Sequence, residues 1–396
     1  MKIPQKTTVH VENLKEIERR IEGPIDIFGY AALEMNIDKL VKPEKTELLN
    51  HLISQRISVP ASKRKTRDIL EKDAGFNCSV DVIYRLFSDL GNSVSEVNQI
   101  VSNAAKNLFE SKIDLMFFDL TTLYFESKNQ DELRDFGFSK DCKFGEVQAT
   151  LALAAQKDGF PVGYRLFPGN TAEFSALISC INEWKKTLEI DEVVFVADRG
   201  MFSSQNLFDI QTAGYKFVVV CPLRKLGKKI ENEIFQSENY RLGIIENLDE
   251  VIWNKKLKHS VAHKEKIINS ETDSIKSNKF QNIEIPGHLI VCYSEKRAKK
   301  YHHDRNKMID KAKKKYEEKS KATPSKVKEF IGNRGYVKYL NIKDIWNGSI
   351  TIDEKKIEED SKWDGISGVF TNTNLSNLKC LSRYRGLWQI EECFRI

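Results

Sequence analysis

The chain has 396 residues, 40% of them hydrophobic and 30% charged, with a net charge of +6. That length predicts two or three domains rather than one small core, and no apolar run approaches the roughly 20 residues a membrane span requires. The opening MKIPQKTTVHVENLKEIERR has no apolar stretch behind basic residues, so it does not read as a secretory signal and a cytoplasmic protein is expected. The seven cysteines are scattered, without C-x-x-C or Cys/His pairs at zinc spacing, and read as reduced, mostly buried thiols.

Residues 1–110 read as a helical domain. TELLNHLISQRI, KRKTRDILEKD and VDVIYRLFSDLGNSVSEVNQIVSNAAKNLFES place apolar residues at three- and four-residue steps, with Asp, Asn and Ser at cap positions. From about 113 the period changes. KIDLMFFDLTTLYFE, EVQATLALAAQ and FPVGYRLFPG read as three strands of an antiparallel meander, with an Asp-Gly turn in QKDGF between the last two. A helix follows in TAEFSALISCINEWKKTLEI, then a short apolar strand in DEVVFVADRG, a helix in SSQNLFDIQTAG and a strand in YKFVVVC. A dinucleotide-binding fold would alternate strand and helix from the start and open on a glycine-rich turn. Three hairpin-linked strands followed by alternating helix and strand is instead the order of the ribonuclease H fold. The expected class is therefore α/β, a mixed sheet flanked by helices, whose first part spans 111–225.

Residues 226–363 break that regularity and read as an insertion lobe. Short strand candidates (EVIWN, HLIVCYSE, YVKYL, GSITID) surround a basic helix. Within 295–329 there are 14 basic and 6 acidic side chains, an excess larger than that of the whole chain. Such a segment is either a solvated helix face or a surface for backbone phosphates, with Lys313, Lys314 and Lys315 at its densest point. SKRKTR at 62–67, with Lys63, Arg64 and Lys65, poses the same choice. Residues 364–396 return to the core pattern, with a strand in WDGISGVFTN and a helix over LKCLSRYRGLWQIEECFRI.

Asp119 sits in the otherwise apolar, hydroxylic and aromatic run MFFDLTTLYFE, and Asp198 ends VVFVAD, the strand expected beside it. Two carboxylates brought together repel unless a divalent cation holds both ionised, and oxygen-only ligands suit Mg2+ or Mn2+. A third acid would complete a two-metal site that activates a water or a 3′-hydroxyl and stabilises the leaving oxygen. In LWQIEECF, Glu391 falls on the apolar stripe of Leu387, Ile390 and Phe394, whereas Glu392 points about 100° away. From the residues alone, Asp119 and Asp198 also fit turn or capping roles, Arg395 offers Glu391 a helical ion pair, and Glu126 is a competing carboxylate.

FFDLTTLYFE, GFSKDCKFGEVQATLALAAQKDGFPVGYRLFPGNTAE, VVFVADRGMFSSQNL and YRGLWQIEECFR occur in this order over residues 113–396. Together they resemble the catalytic core of bacterial insertion-sequence DDE transposases, in the group with the Y-x-x-R-x-x-x-E-x-x-x-x-x-x-K signature (insertion sequence 4 type) and its insertion sequence 1634 branch. ISVPASKRKT in the N-terminal region has the look of the same branch.

The resemblance implies that Asp119, Asp198 and Glu391 are the three catalytic acids and hold two Mg2+ or Mn2+ ions. It also implies an insertion between the second Asp and the Glu. Tyr384 matches the signature tyrosine, Leu387 stands at the arginine position, and Arg385 is nearby but off register. The signature lysine would fall two residues past Ile396, so the resemblance presents the chain as C-terminally truncated. The implied activity is cleavage at the inverted-repeat ends of the protein's own element and transfer to target DNA through a hairpin intermediate, with a homodimer pairing the ends on nucleoid DNA. The N-terminal domain would bind ends, and Arg199, Tyr384, Arg385 and the two lysine-rich segments would contact DNA. A catalytically inactive DNA-binding remnant and an unrelated ribonuclease H-type nuclease are the rival readings.

Overall fold

The computed structural model describes residues 20–109, 116–137, 145–156, 159–171, 178, 180, 182–184, 194–197, 199–245, 248–266, 280–319, 335–344 and 349–394. Five helices come first: α1 (Gly23–Glu34), α2 (Pro43–Ser58), α3 (Lys63–Asp73), α4 (Val80–Gly91) and α5 (Val94–Phe109). The hydroxyls of Ser62 and Ser79 accept the Lys65 and Val82 amides, so α3 and α4 start on side-chain caps. Leu48, Leu49 and Leu52 of α2, Leu70 of α3, and Ile83 and Leu86 of α4 form a core of their own. Each such side chain contributes about 1.5–3 kcal/mol by leaving water. The α5 helix reaches out of this bundle to the sheet, where the Asn98 amide pairs with the backbone of Tyr164. Its Nδ2 donates to the Tyr164 carbonyl at 3.0 Å and its Oδ1 accepts the Tyr164 amide at 2.9 Å.

The sheet begins with β1 (Met116–Phe125), β2 (Val147–Ala155) and β3 (Pro161–Pro168), then β4 (Val194–Ala197), α6 (Ser204–Thr212) and β5 (Lys216–Val220). Between β3 and β4, residues 178, 180 and 182–184 are helical, and the rest of the expected TAEFSALISCINEWKKTLEI helix lies outside the described residues. Trp184 is fully buried, and a Cβ on Gly163 of β3 would stand only 3.1 Å from its indole, so glycine gives the indole its seat. The chain continues through α7 (Lys228–Phe235), β6 (Arg241–Ile245), β7 (Glu250–Lys266), β8 (Phe280–Tyr293) and α8 (Glu295–Lys319). It ends with β9 (Leu340–Asp344), β10 (Ser349–Ile352), α9 (Glu354–Ser361), β11 (Ile366–Thr371), α10 (Asn377–Arg385) and α11 (Trp388–Cys393).

Nine strands form one sheet in the order β3-β2-β1-β4-β5-β11-β8-β7-β6. The meander is antiparallel, while β4 and β5 run parallel to β1, which is the arrangement of the ribonuclease H fold. Strand alternation divides the apolar residues between two layers. Phe195, Ala197, Phe217, Val219 and Phe370 turn to the layer that holds Trp184 and α6. Phe117, Val194, Val196, Val218 and Val369 turn to the layer of α10 and α11, where Cys380, Leu381 and Ile390 are buried.

Two expectations are revised. EVIWN and HLIVCYSE are not short strands but parts of a long hairpin, paired from Trp253 opposite Tyr293 to Lys266 opposite Phe280, which extends the core sheet beyond β11. Similarly, LKCLSRYRGLWQIEECFRI is not one helix: α10 stops at Arg385 and α11 starts at Trp388. The break falls where the chain crosses Phe117, since a Cβ on Gly386 would meet the Phe117 ring at 2.7 Å.

Candidate active site

The strand β1 carries Asp119 with its Cα opposite Leu153 of β2. The Asp119 side chain and the whole of Asp198 lie outside the described residues. The frame that carries them is clear. β4 pairs in parallel with β1, Met116 opposite Phe195 and Phe117 opposite Val196, and ends at Ala197. The third acid-bearing element, α11, packs against the same strand. Its buried Ile390 shares a core with Phe117 and Ala155, and the Cys393 thiol donates to the Gly159 carbonyl at 3.1 Å, locking the helix to the β2–β3 turn. Glu126, the competing carboxylate, is exposed just past the far end of β1. At about 3.3 Å per residue it stands roughly 23 Å along the strand from Asp119, away from α11.

Glu391 is solvent-exposed in the first turn of α11, which corrects the expectation that it lies on the inward stripe. Leu387 and Phe394 are partly buried beside Ile390, but Ile390 takes the centre of the buried face, and Glu391, about 100° further round the helix, turns outward. The carboxylate is thus open to a ligand rather than buried by packing. Among the described residues no group of three or more His, Cys, Asp or Glu is placed to hold a metal ion, and Asp198 is not among them.

The residues expected at DNA divide into three situations. Lys63, Arg64 and Lys65 are exposed in the first turn of α3, with the Lys63 ammonium 5.0 Å above the Phe87 ring. Lys313 and Lys314 are exposed on α8, while the Lys315 side chain lies outside the described residues. Arg199 is exposed in the 3-10 turn Arg199–Met201 immediately after β4. Tyr384 is half-buried under the Arg297 guanidinium, 5.8 Å from its ring centre. Arg385 differs from all of these: it is buried and ion-paired with Glu250 of β7 at 3.3 Å, which suits a structural tie between α10 and the hairpin rather than a DNA surface.

Sequence reasoning missed a cleft of about 560 Å3 at the carboxyl ends of β4 and β5, lined by Arg199, Arg224, Arg297 and Lys338 together with Trp363 and Tyr384. Arg199 and Tyr384 were expected at DNA, and Arg297 belongs to the basic helix, but nothing in the sequence joined them into one cleft. Lys338 sits in YVKYL, which had read as a strand, and forms part of a 3-10 turn, Val337–Tyr339. Asp360 of α9 gathers two of the cations, accepting from Arg224 Nη1 at 2.7 Å and Lys338 Nζ at 2.8 Å, and it also accepts from the Tyr339 hydroxyl at 3.0 Å. Burial alone would raise its carboxyl pKa, but the hydrogen bonds from Lys338 and Tyr339 and the charges of Lys338 and Arg224 outweigh it and hold the pKa below the usual value. The Cys221 thiol at the cleft floor is pushed up to about 12 by burial, so it is a packing group and not a nucleophile.

Comparison with known proteins bears on what this frame is for. No curated protein matches the chain. Among solved structures, a Mos1 transposase paired-end complex with left transposon end is similar at 11% identity and a TM-score of 0.20, over 43% of this chain and 57% of that one. A family model described as a transposase DDE domain matches residues 111–396, from just before β1 through α11. The chain belongs to the transposase DDE domain family.

Proposed function

We propose that the protein is a transposase that cuts DNA at the inverted-repeat ends of its own element and joins the freed 3′-hydroxyl to target DNA, cut-and-paste through a hairpin intermediate. Asp119, Asp198 and Glu391 are the catalytic carboxylates in this reading. The observation that carries it is the parallel pairing of β1 with β4. Phe117 is opposite Val196, and Asp119 and Asp198 each follow two residues later in sequence. Phe117 faces the layer in which α11 packs. The packing of β1, the strand β4 that precedes Asp198 and the helix α11 against one another supports this reading.

A donor set of carboxylate oxygens alone fits Mg2+ or Mn2+, and the three acids would hold two such ions. When bound, the ions supply Lewis acidity to the attacking and leaving oxygens of an in-line phosphoryl transfer. The chain's own residues do the positioning. Asp119 lies in β1, Asp198 follows β4 in sequence, and α11 presents Glu391 at the solvent side where a DNA strand can reach it. The helical unit 1–110 reads the element ends, with Lys63, Arg64 and Lys65 on backbone phosphates. The lobe 226–363, including Lys313, Lys314 and Lys315, steadies the duplex, and two copies pair the two ends on DNA in the cytoplasm. Among the described residues no helix is long and apolar enough to cross a membrane.

The test is cleavage of a duplex carrying the flanking inverted repeat against a scrambled duplex, with Mg2+ and with chelator. Mg2+-dependent nicking at the repeat boundary alone is the expected result. Equal cutting of both duplexes would replace this reading with a non-specific nuclease.

A further inference from the structure

We infer that the Arg199–Arg224–Arg297–Lys338 cleft is a phosphate-binding subsite for the DNA strand being cut. The inference deepens the transposase reading and rests on it. Arg199 is the next residue after Asp198, and the cleft opens at the carboxyl ends of β4 and β5, the end of a parallel sheet at which open α/β folds take their ligands.

Charge identifies the ligand class. Among the described residues, four cations line the cleft and no carboxylate does. Asp360, just outside the lining, bonds Arg224 and Lys338. A concavity lined by several cations suits an anion of more than one charge, and consecutive phosphodiesters provide it.

The cations are also held in place. The Arg224 guanidinium lies 5.7 Å from the Trp363 ring centre and that of Arg297 5.8 Å from the Tyr384 ring centre, so both planes are set by aromatic faces before a ligand arrives. Preset guanidinium planes suit bidentate contact with phosphate oxygens, which freely rotating surface lysines do not. The four groups come from separate segments: the turn after β4, the turn after β5, the first turn of α8 and the 3-10 turn before β9. The basic helix thus reaches the core through Arg297, at its first turn, far from its Lys313–Lys315 stretch. The lobe completes a wall of the site rather than standing apart from it.

The experiment measures binding of the full chain to the end-bearing and the scrambled duplex across a salt series, with Arg297→Gln, Lys338→Gln and, as a charge-matched control, Lys216→Gln at the exposed amino end of β5. Removing one cation from a backbone phosphate should make the log–log salt slope shallower by about 0.9, equally on both duplexes, because phosphate recognition carries no sequence information. Arg297→Gln should also weaken binding roughly tenfold at moderate salt, and Lys216→Gln should change neither quantity. Replacing single linkages near the cut by methylphosphonate, one at a time, should find a phosphate whose neutralisation has no further effect in Arg297→Gln. A shallower slope in either cleft variant supports the subsite, and unchanged slopes in both overturn it. Loss of preference for the end-bearing duplex in the unaltered protein would overturn the transposase reading instead, while the slope comparison on the scrambled duplex would still decide the cleft.

Discussion

Arg385 of α10 and Glu250 of β7 form an ion pair that is almost shut off from water, with 6% and 10% of the two side chains exposed. The Ser294 hydroxyl donates to the other carboxylate oxygen at 2.5 Å, while Nε and Nη2 of Arg385 have no hydrogen-bond partner among the described residues. The pair spans the C-terminal helices and the long hairpin. Glu250→Gln should destabilise the protein by about 3–5 kcal/mol, because it leaves a buried guanidinium uncompensated. Arg385→Met with Glu250→Gln should lose much less than the sum of the single changes. Denaturant unfolding of the four proteins checks both statements.

Gly386 supports a second prediction. Its φ is −74°, which any residue adopts, so the reason for glycine is the Phe117 ring 2.7 Å from where a Cβ would stand. Gly386→Ala should cost about 1–3 kcal/mol and displace α11 from β1. In the proposed mechanism that displacement reduces cutting more than end binding. Phe117→Leu in the same chain should recover part of the loss by opening the space, and parallel cleavage and binding assays measure it.

Asp360 sets a pH dependence. Its folded pKa is depressed below its ordinary value of 3.8. Its stabilising contribution is therefore complete above the unfolded pKa and is lost as pH falls through the folded one. The unaltered protein should be more stable than Asp360→Asn at pH 6, and the difference should narrow progressively below about pH 4. Urea unfolding at several pH values tests this, and a constant difference from pH 6 to pH 3 would refute it.

The catalytic assignment predicts a separation of functions. Asp119→Ala or Asp198→Ala should reduce Mg2+-dependent cutting by about a thousandfold or more, a loss of several kcal/mol of transition-state stabilisation, and leave end binding intact. Gel shift and cleavage on one duplex suffice. Unchanged cutting by either variant would remove that residue from the site.

Much of the core was readable before any coordinates. The change from helical to alternating periodicity near residue 113, the meander and the apolar runs VVFVA and KFVVV predicted both the strands and their order. What local pattern could not supply was pairing over distance. KKLKHSVAHKEK has no apolar alternation to mark it as a strand, because one face of β7 meets water along most of its length, yet Lys255 and His263 within it are buried. A lysine whose ammonium donates to the Glu233 carbonyl at 2.8 Å looks, in sequence, like any other surface lysine. The cleft was invisible for the same reason: Arg199, Arg224, Arg297 and Lys338 share no spacing, only a destination. The inward placement of Glu391 failed because Ile390 takes the centre of the buried face of α11, and Glu391, about 100° further round the helix, turns to solvent.

The position of β11 bears on how the protein is made. This strand lies between β5 and β8, pairing Val369 with Val220 on one side and with Ile290 on the other. It leaves the ribosome after every other strand of the sheet. Until then β5 and the β6–β8 hairpin each expose an unpaired edge, the kind of surface that recruits wrong partners during synthesis. Translation of residues 366–371 is therefore the step at which two half-sheets fuse, and slowing the chain just before it should raise the aggregated fraction without altering a single native interaction.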